Sequence, residues 1–495
     1  MKRPVLSEMS PVCRVGWSAF ALLVSCAVCR GADPANTELA ALPARSSPEW
    51  LTHGVMYQIT MRSFTPEGTL RAATARLPAV AELGPTVIYL CPIMLADDDR
   101  RPEFWSPRQK VSGTNNPRNP YRMKDYGRVD PEYGTEADLR EFVATAHKLN
   151  LRVLLDLVYF HCGPTSTLMD KPDFIQRDSA GKLVMGGWNF PRLNLQSRQL
   201  REYLWADMEH WVKDCQVDGF RCDVADALPL DFWEEARVRL DPLRPDLVML
   251  SEGQRAADQV KAFDINYGFS WYNTTAAVLT RSQPASALRK VWEKQRAERP
   301  RGARFIRYTD NHDLANDMLR PDVIFGQRGA HAMSVVNFTL DGVPFLYNGQ
   351  EIGDTSLHSI YARWPVRWEA ACLPKPKATL EFYKQLCQLR RNQPALHAGD
   401  VVWLDHDQPD AVVAFLRRAS TDEILSAVNL SNRAVKVQLE LPAGAAVSYR
   451  PLLSSGAKAV AADGKLRLAL EGFGYTISSS SSLPQTAMAM RGRFR

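Results

Sequence analysis

Between residues 55 and about 393, short apolar runs rich in β-branched and aromatic residues alternate with segments of helix length. This rhythm limits the folds open to the chain more than any other feature does. The runs lie at 55–59, 86–90, 152–155, 217–221, 247–250, 305–308 and 343–346, with a weaker one near 263–267. Amphipathic patterns at 136–149, 198–213, 232–239 and 382–391 are of helix type. Strands that are apolar on both faces suit a parallel sheet covered by helices. The expected fold class is therefore α/β, a (β/α)8 TIM barrel over 51–394. After about 395 the pattern changes to short alternating runs at 412–416, 424–430, 435–441 and 466–470, separated by Gly, Asn and Pro. A C-terminal antiparallel β domain over 395–477 follows, expected to pack on the barrel rather than to bind sugar. The segment 33–50 reads as a linker, and 478–495, Ser-rich then basic, reads as a disordered tail.

The formal charge of +6 is concentrated at the two ends. The first thirty residues carry three net positive charges and the last eighteen another three, which leaves the body neutral. The body has no basic surplus to attract nucleic acid. Lys2 and Arg3 precede an apolar stretch at 15–24 and then small residues. Ten residues are half of the ~20 a membrane span needs, so no membrane span is expected. They suit a secretory leader over 1–32, which places the protein outside the cytoplasm as a secreted or periplasmic chain. Leu23-Val-Ser-Cys26 resembles a bacterial lipobox, which would put a lipid anchor on Cys26. The six cysteines beyond the leader show no metal-type spacing and read as small buried residues.

Barrels of this type carry their chemistry on loops at the C-terminal ends of the strands. The third, fourth, fifth and seventh runs end in Asp156, Asp223, Glu252 and Asn311-His312-Asp313. The 67 residues from Asp156 to Asp223 exceed one strand–helix unit, so 162–196 reads as a short insertion, a domain B. Arg221 precedes Asp223 by two residues and shares its strand face. A guanidinium there is expected to keep Asp223 ionised, as a nucleophile requires, while Glu252 supplies the protonated acid. That division of labour is the one glycoside hydrolysis uses.

The motifs resemble those of the α-amylase superfamily, glycoside hydrolase family 13. Asp156-Leu-Val-Tyr-Phe160-His161 is similar to its first motif, Gly219-Phe220-Arg221-Cys222-Asp223 to the second, Leu250-Ser251-Glu252 to the third and Asn311-His312-Asp313 to the fourth. Stretches at 55–64, 119–126, 129–135 and 342–351 are similar to its further conserved segments, so the resemblance covers about 50–395. It implies Asp223 as nucleophile, Glu252 as acid and base, and Asp313 as stabiliser of the oxocarbenium-like state. It further implies that His161 and His312 bond the sugar, that Arg221 orients the nucleophile and that Tyr121 stacks on the ring, with Asp156 a structural acid.

Three positions depart from the family pattern. Phe160 replaces the Asn that supplies an oxygen to a structural calcium, and phenylalanine has no oxygen to give. Arg192 stands where an Asp is common, and Ala227 where many members carry a calcium- or substrate-linked group. No metal and no cofactor are therefore expected. The implied function is a retaining hydrolase of α-1,4 bonds in starch, maltodextrins or related α-glucans. The alternatives are an α-glucan transglycosidase, a small α-glucoside hydrolase, and a catalytically idle carbohydrate-binding protein on the same fold.

Overall fold

The structure, a computed structural model, describes residues 34–480 apart from Thr421, Val447, Asp463 and Gly464. The leader over 1–32 with Cys26, and the tail beyond 480, lie outside the described residues. Eight parallel strands form the central sheet: β1 Met56–Ile59, β2 Val87–Leu90, β3 Arg152–Leu157, β4 Gly219–Cys222, β5 Val248–Ser251, β6 Ile265–Asn266, β7 Ile306–Arg307 and β8 Val343–Tyr347. Their order is β6-β5-β4-β3-β2-β1-β8-β7. A single parallel bridge between Asn266 and Phe305 closes the ring between β6 and β7. The weak run near 263–267 is thus a strand of two residues at the seam of the barrel.

Strand alternation divides the core into two layers. Met56, Val87, Tyr89, Leu154, Val248, Leu250 and Phe345 fill the barrel interior. Tyr57, Ile88, Leu90, Val153, Leu155, Phe220 and Met249 pack outward in the larger cluster beneath the helices. On β4 the inward positions are Gly219 and Arg221, so a charged side chain takes a place that neighbouring strands give to apolar ones. The helices begin at sequence-encoded caps. Thr135 and Asp138 form a capping box for Glu136–Lys148, and Ser197 caps Arg198–Cys215.

The chain leaves the barrel twice on the catalytic side. After β3 the insertion forms a set of isolated antiparallel bridges, among them His161 with Arg192 and Met185 with Pro191. After β2 there is a second excursion, absent from the sequence reading. It is a ribbon pairing Met94–Ala96 with Met123–Val129, with a short helix Pro107–Val111 between its strands. Arg122, fully buried, ties that loop down by donating to the carbonyls of Phe104, Asp99 and Pro117 at 2.7, 2.8 and 2.9 Å.

The C-terminal sheet is antiparallel. Beyond the runs legible in the sequence it contains Asp400–Trp403 and Arg450–Ala462. Its contact with the barrel is direct: Arg417 Nη1 donates to the Thr339 carbonyl at 2.8 Å, and the backbone N–H of Ala285 to that of Asp410 at 3.0 Å. Two boundaries differ from expectation. The strand Lys465–Ser479 runs into the segment read as tail, because Ser478 and Ser479 pair with Pro451 and Arg450. The segment read as a linker holds a helix, Pro34–Ala41, and then docks beside Arg301, where Ala44 N–H donates to the Arg301 carbonyl at 2.8 Å.

Gly219 opens β4 with φ +151, and a Cβ there would lie 1.9 Å from the Val248 carbonyl oxygen. Only glycine allows β4 and β5 to approach so closely. Gly219→Ala is expected to destabilise the protein by about 3 kcal/mol or more, measured by urea unfolding. An effect under about 0.5 kcal/mol, the range of neutral surface changes, would contradict this packing.

Candidate active site

Arg221 organises the site. It projects inward from β4, fully buried, and β3 places Asp156 beside it in register. Its Nη1 donates to Asp156 Oδ1 at 2.6 Å and to Asp223 Oδ1 at 2.8 Å, and its Nη2 lies 2.7 Å from Glu252 Oε1. The rings of Tyr89, Tyr121 and Tyr267 surround the guanidinium with centroids 5.6–5.9 Å from its carbon. One cation therefore serves three carboxylates in a space with little water. Leaving any of those carboxylates ionised without it would cost several kcal/mol.

The two loops carrying Asp223 and Glu252 are stapled together. After Asp223 the chain turns through Val224 in the left-handed region, φ +45, which a β-branched residue rarely occupies. That turn aims the Val224 N–H at Glu252 Oε2, 2.9 Å away. Asp226 then accepts from the N–H groups of Gln254 and Arg255 at 2.6 and 3.2 Å, and Arg255 donates back to the carbonyls of Asp226 and Leu228.

A second chain of hydrogen bonds fixes the histidine. Gln58, on β1, accepts from the backbone N–H of His312 through Oε1 at 3.0 Å, which turns its amide NH2 toward His312 Nδ1 at 2.7 Å. Nδ1 is thus the acceptor and Nε2 carries the proton. Nε2–H donates to the Tyr121 hydroxyl at 2.7 Å, and that hydroxyl donates to Asp156 Oδ2 at 2.9 Å. Tyr89 gives Asp156 a further bond at 2.7 Å. Burial drives the His312 value down to about 4, so the ring is neutral at neutral pH.

Asp313 lies apart from the Arg221 cluster and has its own cation. Arg108, from the excursion after β2, donates to Asp313 Oδ1 at 2.8 Å and to Asp317 Oδ1 at 2.9 Å. Burial pushes the Asp313 carboxyl up, but His312, Arg108 and Arg221 outweigh it and hold the group well below the usual carboxylate range. Burial pushes Asp223 up to about 7 against the pull of Arg221, with Asp156 adding to the rise. Glu252 rises to about 8, again through burial opposed by Arg221, with Asp223 and Asp313 adding to it. Both carboxyls are pushed above the usual carboxylate range by burial, and they titrate as an interacting pair. The expectation that Arg221 alone keeps Asp223 fully ionised is corrected, because desolvation is the larger effect.

All seven residues singled out in the sequence sit around this centre. Tyr121 stacks on His312, with ring centroids 5.4 Å apart. His161 Nε2 donates to the Tyr121 carbonyl at 2.8 Å, which leaves Nδ1 as a buried acceptor without a partner. Sequence reading missed Gln58, Tyr89, Tyr267, Arg108 and Trp188. Gln58 was signalled by a polar residue inside an apolar run; the excess length between the second and third runs signals the excursion that carries Arg108, but not that residue. Trp188, from the insertion, packs its ring 5.6 Å from His161, and neighbouring Asn189 donates to the Trp105 carbonyl at 2.9 Å, joining the two excursions.

The residues at the position of the family's calcium do not fit that ion. The Phe160 ring carries the Arg192 guanidinium at 4.8 Å, and Trp188 stands beside it at 6.3 Å. An aromatic face and a cation offer no oxygen ligand and repel a second cation.

The raised Glu252 carboxyl has a consequence for stability. The folded chain keeps the Glu252 proton from its unfolded value near 4 up to about 8, so stability falls as pH rises through that window. Glu252→Gln cannot ionise. Relative to wild type it is expected to gain roughly 4 kcal/mol of stability between pH 4.5 and pH 8.5, measured by urea unfolding at both. A gap independent of pH would contradict the assigned shift.

Comparison with known proteins agrees with this geometry. The alpha amylase catalytic domain model matches residues 33–178 and 183–375. The alpha-amylase MalA of Haloarcula japonica is 26% identical over 482 residues, covering 92% of this chain and 67% of its own. A cyclomaltodextrinase from a Bacillus species is 26% identical over 439 residues, covering 77% and 73%. The crystal structure of a maltogenic alpha-amylase from Thermotoga neapolitana superposes with a TM-score of 0.75 at 24% identity, over 87% of this chain and 99% of that one, which shows the shared fold. With a match across most of the barrel and an intact set of acids at its rim, the chain belongs to the alpha-amylase family and is a glycoside hydrolase.

Proposed function

We propose that the protein hydrolyses α-1,4 bonds of starch-type glucans and maltooligosaccharides with retention of configuration. The observation that carries this reading is the sharing of Arg221 by Asp223 and Glu252. Two carboxyl groups held by one guanidinium favour the short separation of retaining pairs, about 5 Å, over the 6.5–9.5 Å of inverting ones. Asp223 attacks the anomeric carbon, and Glu252 gives its proton to the leaving oxygen. The bond to the leaving oxygen breaks as the bond to Asp223 forms. Glu252, now a carboxylate, then takes a proton from the water that releases the sugar.

Asp313, ionised throughout, faces the positive charge that grows on the ring. His312 and Tyr121 are held rigid by Gln58 and Asp156, with both His312 nitrogens bonded within the protein. His161 Nδ1, a buried acceptor lacking a partner, suits a sugar hydroxyl. The names of the relatives, an alpha-amylase and a cyclomaltodextrinase, support the α-glucan class. The Phe160 and Arg192 pair supports independence from calcium, and export rests on the leader sequence alone.

Soluble starch and maltoheptaose separate this reading from its alternatives. Wild type is expected to release short sugars that are α-configured when first formed, equally with and without EDTA. Asp223→Asn is expected to lose activity by about 10^4-fold or more. Products longer than maltoheptaose would indicate transglycosylation. β-Configured first products would overturn retention, and loss of activity in EDTA would overturn calcium independence.

A further inference from the structure

Away from the catalytic rim, two outer helices bring together a histidine, a cysteine and a glutamate that the hydrolase chemistry does not use. Glu136 begins the helix Glu136–Lys148, and His210 and Cys215 lie near the end of Arg198–Cys215. One ligand atom from each lies within 4.8 Å of the others.

The hydrogen-bond pattern around His210 is informative. His210 Nδ1 lies 2.7 Å from Asp214 Oδ2, and a carboxylate can only accept, so Nδ1 carries a proton. Nε2 faces Glu136 Oε2 at 3.6 Å, too far for a hydrogen bond, and is shielded from solvent without a partner. A proton on the ring would make this an ion pair with Glu136, and a metal ion between nitrogen and carboxylate would fill the same gap. Histidines that hold metals show the same arrangement, with one nitrogen on the metal and the other oriented by a carboxylate. Glu136 Oε1 is engaged by Arg140, and the same carboxylate accepts from the Cys215 thiol, so a metal would enter by replacing the thiol proton between them. Cys215 is a buried free thiol at the inner end of the cluster.

We propose that Glu136, His210 and Cys215 bind a borderline-soft divalent cation of the zinc type, with water as the fourth ligand and Asp214 orienting His210. The donor set decides the class. Thiolate and imidazole select zinc-type ions, whereas calcium and magnesium take oxygen. Tetrahedral bonds of 2.0–2.3 Å set ligand atoms roughly 3.5 Å apart, so the cluster contracts by about an ångström on binding, within reach of side-chain rotation. The Cys215 proton leaves to solvent as the sulfur–metal bond forms. The ion would join two neighbouring helices of the barrel's outer ring. Sequence spacing gave no sign of it because the ligands come from two helices more than seventy residues apart.

The test uses the full chain, stripped with a chelator and titrated with Zn2+ against a chromophoric competitor, then with Co2+ while thiolate charge-transfer absorption is followed. Wild type is expected to hold one Zn2+ more per chain than Cys215→Ser or His210→Ala. The cobalt–thiolate band is expected in wild type and in Cys372→Ser, which removes the exposed thiol, and to be absent in Cys215→Ser. Asp214→Asn is expected to keep the band while weakening zinc binding by about 10-fold or more. Equal zinc uptake by wild type and Cys215→Ser, both shown folded by circular dichroism, overturns the proposal. So does a cobalt band that survives in Cys215→Ser.

Discussion

The site depends on one buried guanidinium. Arg221 stands on the inward face of β4 and reaches Asp156, Asp223 and Glu252 within 2.6–2.8 Å. A single positive charge cannot offset three negative ones where water is scarce, so one carboxyl keeps its proton. Glu252 is the group pushed furthest, to about 8. Asp313 escapes this competition because Arg108 serves it from a different loop. The proposed division into nucleophile, acid and permanent anion rests on how two arginines are shared among five acids. The neutral His312, held by Gln58 and Tyr121, adds direction without adding charge.

Everything around Arg221 serves to keep that sharing exact in space. Register between β3 and β4 sets Asp156 opposite Arg221. Gly219 lets β5 come close enough for Glu252 to reach the same guanidinium. The strained turn at Val224 places a backbone N–H on Glu252, and Asp226 and Arg255 lock the loops that carry the two reacting carboxylates. Strain, desolvation and unequal charge all cost stability. They are tolerated because the barrel's two apolar layers and the docked C-terminal sheet supply the rest of the folding free energy.

The barrel was legible in the sequence because parallel strands buried on both faces leave dense apolar runs, and β1 to β5 fall within a residue or two of where those runs lie. β6 was hard to read because it is two residues long and relies on tertiary closure, whereas the run at 305–308 does contain β7. The acids were legible because each lies at or just beyond the C-terminal end of a strand, and Arg221 because its two-residue offset from Asp223 puts both on one face. Arg108 was not, since nothing local marks it. Its role arises when Arg122 pins a loop that carries it across the rim to Asp313. The pairing of Asp223 with Arg221 was readable, but the weight of burial over ion pairing depends on the three tyrosine rings that exclude water there. Ser478 and Ser479 were misread because composition alone cannot show the partner strand that orders them.

The pH dependence of kcat/KM on maltoheptaose for wild type and Glu252→Gln tests this division of roles most directly. For wild type a bell is expected whose two limbs belong to the interacting Asp223–Glu252 pair and both lie well above the ordinary carboxylate range. In the residual activity of Glu252→Gln the alkaline limb is expected to vanish. An acid limb near the ordinary carboxylate value of about 4, or an alkaline limb that survives the substitution, would contradict the control of these two carboxyls by burial around Arg221.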